Sequence, residues 1–246
     1  MMRVWLVALA AAACCGAAPP DQNYLVDVWN VDHGMPQGSV MHVAQTPDGY
    51  LWIATFWQGI ARFDGLRFVT YTPVTTPELP DQEGWRLLVD SRGTLWIASL
   101  QGSLTSYREG RFALEFKRQW RLKAIVQETA SHIVFATQDG RLVRGPAEPG
   151  RGGPWEMLQP PDTDVYSQFA ADAEGAIWFT RTGRRVGRFQ AGGFEALPVP
   201  APGLRGRRVR ALAADPGGRI WVGTDVEVGM WTGSRFETMT PTNGEP

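Results

Sequence analysis

Only two cysteines occur in the 246 residues, Cys14 and Cys15, and both fall within the first twenty. Beyond them neither a disulfide framework nor a cysteine-ligated metal can form. Lysine is as scarce: Lys117 and Lys123 are the only two among 24 basic residues, and 25 acidic residues bring the formal net charge to −1. With no basic excess, nucleic acid is not an expected partner. The three histidines, His33, His42 and His132, are too scattered to read as a ligand set, so no metal or other cofactor is expected and all three read as structural or solvent-facing. A Gly-Lys-Ser/Thr phosphate loop, a nucleophile elbow and a paired-carboxylate motif are also missing, and no catalytic residue is assigned. After residue 20 no apolar run approaches the ~20 residues needed to span a bilayer.

The first twenty residues have a character of their own. Arg3 is their single charge, Val4 to Ala13 is a continuous apolar run, and small residues follow. The run is about half the length of a membrane span, so 1–20 reads as a secretory leader and the chain as exported or periplasmic. Ordinary cleavage is the first expectation. The stretch Ala11-Ala12-Ala13-Cys14 offers lipidation at Cys14 as the alternative, which would make the leader or a lipid anchor the chain's one membrane contact.

Residues 21–246 are repetitive. "DGYLWIAT" at 48–55 is echoed by "RGTLWIAS" at 92–99, "EGAIWFTR" at 174–181 and "GGRIWVGT" at 217–224, with a degenerate copy, "ASHIVFAT", at 130–137. The anchors are Trp52, Trp96, Val134, Trp178 and Trp221, stepping by 44, 38, 44 and 43 residues. A period near 40 to 45 with alternating apolar residues predicts an all-β propeller of four-stranded antiparallel blades, five repeats of it. In the first repeat the strands are expected over 40–45, 51–55, 60–63 and 68–71. Asp48-Gly49 and Asp64-Gly65 read as tight turns with positive φ at both central residues. Glu109-Gly110, Ala191-Gly192 and Thr232-Gly233 fill the last-turn position in later repeats. The four tryptophans share one phase of one strand, which points to packing between neighbouring blades rather than to ligand stacking.

"WNVDHGMPQGSVMHVAQTPDGYLWIATFWQGIARFDGLRFVTY", 29–71, resembles the two-component regulator propeller repeat, whose pattern is Gly-Leu-Pro, a strand, Asp-x-x-Gly-x-Leu-Trp-Ile-Gly-Thr, then Gly-Leu-x-Arg-Phe-Asp-Gly and an aromatic strand. Met35 replaces the usual Leu and Ala54 the usual Gly. The resemblance runs over about 24–246, strongest in repeats one, two and five. It implies a periplasmic sensor propeller of the seven-bladed type, found in the exported part of sensor histidine kinases, hybrid two-component systems or diguanylate cyclases. No kinase, nucleotide-binding or receiver motif occurs in the sequence itself.

Five repeats of a seven-bladed type imply an incomplete propeller. Pro36, Pro80, Asp162 and Arg205 each precede their tryptophan by 16 residues, and Asn243-Gly244-Glu245-Pro246 resembles His33-Gly34-Met35-Pro36. A further anchor tryptophan is therefore expected about 16 residues beyond Pro246. Tyr24 to Trp29 reads as an outermost strand whose blade is not in the sequence, and unfinished edges would favour self-association or a protein partner.

Propeller ligands meet loops around the central channel. Linkers before innermost strands and loops between second and third strands place His33, Gln37, Phe56, Trp57, Trp85, Arg86, Gln101, Tyr166, Arg181, Asp225 and Glu227 near one face. Trp57 and Trp85 lie off the repeat phase, and the mixture of aromatics with Arg and Gln suits a small polar ligand such as a carbohydrate. The run Arg205, Arg207, Arg208, Arg210 reads as a solvated loop, with an anion site as the alternative, and 145–154 as a floppy edge loop. Two other functions stand beside the sensor: a lyase resembling the streptogramin lyases, which repeat a similar Gly-x-Ile/Leu-Trp motif, and a protein-binding scaffold.

Overall fold

The computed structural model describes residues 27–83, 86–151, 153–158, 166–181, 185–190, 193–197, 208–215 and 217–239. Among these residues twenty strands form five separate antiparallel sheets, each ordered as its strands follow one another in the chain. The first blade comprises β1 (Val40–Gln45), β2 (Leu51–Thr55), β3 (Ile60–Phe63) and β4 (Phe68–Tyr71). The second comprises β5 (Arg86–Val89), β6 (Leu95–Ala98), β7 (Ser103–Arg108) and β8 (Arg111–Lys117). The third comprises β9 (Leu122–Thr129), β10 (His132–Thr137), β11 (Leu142–Pro146) and β12 (Glu156–Leu158). The fourth is β13 (Tyr166–Ala171), β14 (Ile177–Arg181), β15 (Arg185–Gln190) and β16 (Gly193–Ala196), and the fifth β17 (Val209–Ala214), β18 (Ile220–Thr224), β19 (Val228–Trp231) and β20 (Phe236–Met239).

Innermost strands β1, β5, β9, β13 and β17 touch in succession. No contact of similar extent joins β17 to β1 among the described residues, so the five blades make an open arc. The expected anchors are the cement between blades. Trp52 is buried against Leu79, Leu87, Leu95 and Ile97 of the second repeat, Trp96 against Ile125, Ile133 and Phe135 of the third, and Trp178 against Leu212, Ile220 and Val222 of the fifth. Val134 packs with Ile177 and Phe179 in the weaker third repeat. Trp221 carries the same phase but is only half-buried.

A polar contact fixes each indole. Trp96 Nε1 donates to Asp90 Oδ2 at 2.8 Å, Trp178 Nε1 to Asp172 Oδ2 at 2.8 Å and Trp221 Nε1 to Asp215 Oδ2 at 3.1 Å, always six residues back. The other oxygen of each carboxylate accepts two backbone N–H groups of the intervening turn, as Asp90 Oδ1 does from Arg92 and Thr94, both at 2.9 Å. One side chain thus closes the hairpin and aims the ring that joins the next blade. Hydrogen bonds from Trp221 and from Arg219 hold the Asp215 carboxyl down at about 2. In the first repeat Thr46 stands at this position: its Oγ1 accepts from Trp52 Nε1 at 3.1 Å and donates to Asp48 Oδ1 at 2.5 Å. In the third, where the tryptophan is Val134, Glu128 accepts instead from Arg144 Nε at 2.6 Å, and Arg144 lies opposite Val134 across the β10–β11 ladder.

Three expectations need correction. Asp48-Gly49 is not a two-residue turn. Pro47 favours the first central position of a turn that starts at Thr46, and Gly49 N–H donates to Thr46 O at 2.9 Å. Only Gly49 then adopts positive φ, 88°, as the bulge residue of a three-residue loop. Positive φ at both residues occurs at Glu109-Gly110 (50° and 82°), whereas at Asp64-Gly65 and Thr232-Gly233 the glycine alone has it. Ala191-Gly192 lies outside the described residues. The strand expected over 24–29 is not formed in its described part: 27–30 has no regular structure, because Asn30 caps a 3-10 turn at Val31–His33. Trp29 instead packs on Phe63 and Phe68, with ring centroids 4.7 and 6.0 Å away. The 145–154 loop is tied down: Glu115 Oε1 accepts from Gly150 N–H at 2.6 Å, and Trp155 packs on Phe116 and Phe135.

Truncating a fully enclosed tryptophan leaves a cavity costing about 3–5 kcal/mol. Trp96→Ala is expected to lose that much stability in urea unfolding and Trp221→Ala less than half as much; equal losses would mean that Trp96 does not cement two blades.

Candidate functional site

The innermost strands carry a repeated irregularity. Register shifts by one residue between Val40 and His42, between Leu122 and Ala124 and between Val209 and Ala211, and again between Tyr166 and Phe169. Each is a β-bulge about eleven residues before the anchor position, and a bulge re-aims the side chains beside it. Three of them, in β1, β9 and β13, stand beside a cavity of about 270 Å³ where the first four blades converge, lined by His42 of β1, Arg86 and Leu87 of unbulged β5, Lys123, Ala124 and Ile125 of β9, and Gln168 and Phe169 of β13.

Its electrostatics are one-sided. Three basic side chains from three blades line it and no described carboxylate does. Burial, and secondarily the Arg86 guanidinium, hold the His42 imidazole below its ordinary value of 6.5, and its Nδ1 is buried without a hydrogen-bond partner. Burial first and Arg86 second also lower the Lys123 ammonium. Arg86 is the charge that both of the others feel.

The loops expected to meet the channel do stand beside the segments leading into the innermost strands. Phe56 N–H donates to Ser39 O, Leu100 to Glu83, Gln138 to Arg121 and Asp225 to Arg208, so the first, second, third and fifth blades each extend their first ladder by one bond. In the first blade Trp57 N–H also donates to Gln37 Oε1 at 3.0 Å, bringing two of the expected residues together. Trp57 is 48% exposed and stands edge-on to Phe56, with ring centroids 5.0 Å apart, an exposed aromatic surface on the β2–β3 loop.

The other candidates are dispersed. His33 is exposed in the 3-10 turn, its Nδ1 2.7 Å from Asn30 Oδ1. Gln101 is exposed at the β6–β7 turn, Asp225 Oδ1 accepts from Arg208 N–H at 3.2 Å, and Glu227 N–H donates to Thr224 Oγ1 at 3.0 Å. Tyr166 and Arg181 are backbone partners in the β13–β14 register. Trp85 lies outside the described residues, as do Arg205 and Arg207; Arg208 and Arg210 are exposed, as a solvated run requires. Arg86 alone of the expected residues lines the cavity. His42 and Lys123 were not among them, since strand alternation across an unseen bulge does not reveal which residue points to the axis.

Residues 34–57 and 203–226 match the family model described as two component regulator propeller. Two stretches of the chain, in the first and fifth blades, thus resemble that repeat. The first matched segment holds the linker, β1, β2 and the Gln37–Trp57 contact. No curated protein matches the chain. Among solved structures, the extracellular domain of a hybrid two-component system from B. thetaiotaomicron is similar at 17% identity and a TM-score of 0.64, over 85% of this chain and 29% of that one. A second such domain from the same organism matches at 15% identity and a TM-score of 0.66, over 90% and 34%. Virginiamycin B lyase from Staphylococcus aureus matches at 16% identity and 0.66, over 83% and 71%. At these identities the likeness establishes the propeller fold, and the chain spans about a third of the two extracellular domains it matches.

His42 is expected to remain neutral at pH 7. Because its folded-state value lies below 6.5, the folded state binds fewer protons than the unfolded chain, so stability is lost as pH falls through and below 6.5. An NMR titration should place the His42 midpoint under 6.5, and Arg86→Gln should raise it; a midpoint at or above 6.5 would contradict the buried, Arg86-facing placement.

Proposed function

We propose that this chain is the ligand-sensing propeller of an exported two-component sensor and carries no catalytic output itself. The observation that supports this reading is the joining of regulator-propeller repeats with a cavity lined by side chains from four successive blades. A convergent site of that kind couples the relative positions of blades to occupancy, which is what a sensor needs from a fold without a moving domain. The leader at 1–20 agrees with export, and the solved relatives described as hybrid two-component systems are extracellular domains. The exposed Trp57 and its partner Gln37 suit a polar, ring-shaped ligand such as a carbohydrate, with the aromatic face taking the apolar side of a sugar.

The lyase reading rests on the shared fold and on His42 being the histidine that lines the cavity. In the solved lyase a histidine-to-alanine substitution is described as catalytically inactive with quinupristin bound. Turnover of quinupristin by this chain, lost in His42→Ala, would replace the sensor reading.

The chain expressed with its leader is expected in the periplasmic fraction, and a cognate ligand at about 100 times its Kd should stabilise it by about 2.7 kcal/mol. For a domain of this size that is a rise in Tm of about 5–10 °C. Screening neutral and acidic sugars by thermal shift, with Trp57→Ala as the variant that loses the shift, checks it; cytoplasmic retention together with no shift from any ligand would overturn it.

A further inference from the structure

We infer that the axial cavity binds an oxyanion, a phosphate or carboxylate group borne by a small ligand, between His42, Arg86 and Lys123. The inference rests on the reading of the channel as a ligand site and adds the chemistry of what occupies it. Three positively charged or protonatable groups converge from β1, β5 and β9, and no described carboxylate lines the space between them. Among the described residues Lys123 has neither an ion-pair nor a hydrogen-bond partner. His42 Nδ1 is buried and equally unpartnered. Interiors satisfy their polar groups, so an unpaired ammonium beside a buried imidazole nitrogen that donates in its Nδ1–H tautomer marks a place for an acceptor. An oxyanion supplies several acceptor positions at once and relieves the repulsion between Arg86 and Lys123.

The walls limit the ligand further. Gln168 offers an amide that can donate or accept, and Leu87, Ile125 and Phe169 provide apolar surface. A volume of about 270 Å³ is at the small end for ligand pockets, which run from about 300 Å³ upward, and excludes a polymer from the cavity itself. A cleft walled by one sign of charge also concentrates counter-ions from solution, so the charge selects as well as holds. Lys123 comes from one of only two lysine positions in the chain and sits at the bulge of β9, where the register shift between Leu122 and Ala124 turns it out of the ladder.

Isothermal titration of the full chain with inorganic phosphate, galacturonate and glucose tests the assignment. Saturable one-to-one binding of phosphate or galacturonate is expected, weakened at least tenfold by Lys123→Gln and by Arg86→Gln and unchanged by Arg235→Gln on the exposed last hairpin. Phosphate binding alone identifies a free or ester phosphate, and galacturonate binding alone a sugar-borne carboxylate. As a second measurement that needs no variant, the His42 imidazole signals should shift on addition of the bound anion. No saturable binding of either anion, or binding that survives Lys123→Gln intact, overturns the inference. Glucose bound with Lys123 irrelevant would overturn the anion chemistry and leave ligand sensing standing; anion binding by a chain retained in the cytoplasm would do the reverse.

Discussion

The hydrogen bond from an anchor indole to the carboxylate six residues before it is the contact on which the rest of this propeller depends. It joins two scales of structure. One carboxylate oxygen gathers the backbone N–H groups of the β-turn, which sets the first hairpin of the blade, and the other holds the indole at the angle that drives its apolar face into the next blade. Neither half suffices alone. A tryptophan free to rotate would bury its area without fixing how two sheets meet, and a capped turn without the ring would leave the sheets unjoined.

The consequence reaches the axis. Once adjacent blades are locked through Trp52, Trp96 and Trp178, the innermost strands are held side by side, and β1, β5, β9 and β13 each present a side chain to the space between them, in β1, β9 and β13 beside a bulge. The repeat therefore separates two duties by ten or eleven residues: the anchor position is fixed by packing, while the position facing the cavity is free to vary. His42, Arg86, Lys123 and Gln168 differ from blade to blade although the frame that places them hardly changes. The third blade shows the tolerance of that frame. There Val134 and Glu128 replace the tryptophan and aspartate, and the Glu128–Arg144 ion pair takes over the polar half of the contact.

Much of the fold was legible in the residues. The four strand spans of the first repeat coincide with β1 to β4, because alternation and glycine punctuation are local signals with a fixed period. Turn chemistry was less so: Asp48-Gly49 has the composition of a two-residue turn, but Pro47 shifts its start by one residue, and only the pairing of Thr46 with Tyr50 tells the two apart. The aspartates at 90, 172 and 215 stand at a constant spacing from their tryptophans, a visible signal whose role needed the indole nitrogen to be placed. The candidate site was the least readable. Arg86 was found from its position before an inner strand, whereas His42 and Lys123 owe their place at the axis to bulges, and a bulge leaves no mark in an alternating pattern.

A double-mutant cycle on Asp90 and Trp96 tests the central contact most directly. Asp90→Ala and Trp96→Phe, singly and together, are compared by urea unfolding, phenylalanine keeping an aromatic face while removing the N–H. A buried hydrogen bond to a charged acceptor predicts a coupling of about 1.5–3 kcal/mol. Losses that add to within about 0.5 kcal/mol would show that turn and indole act independently, and that apolar burial alone joins the blades.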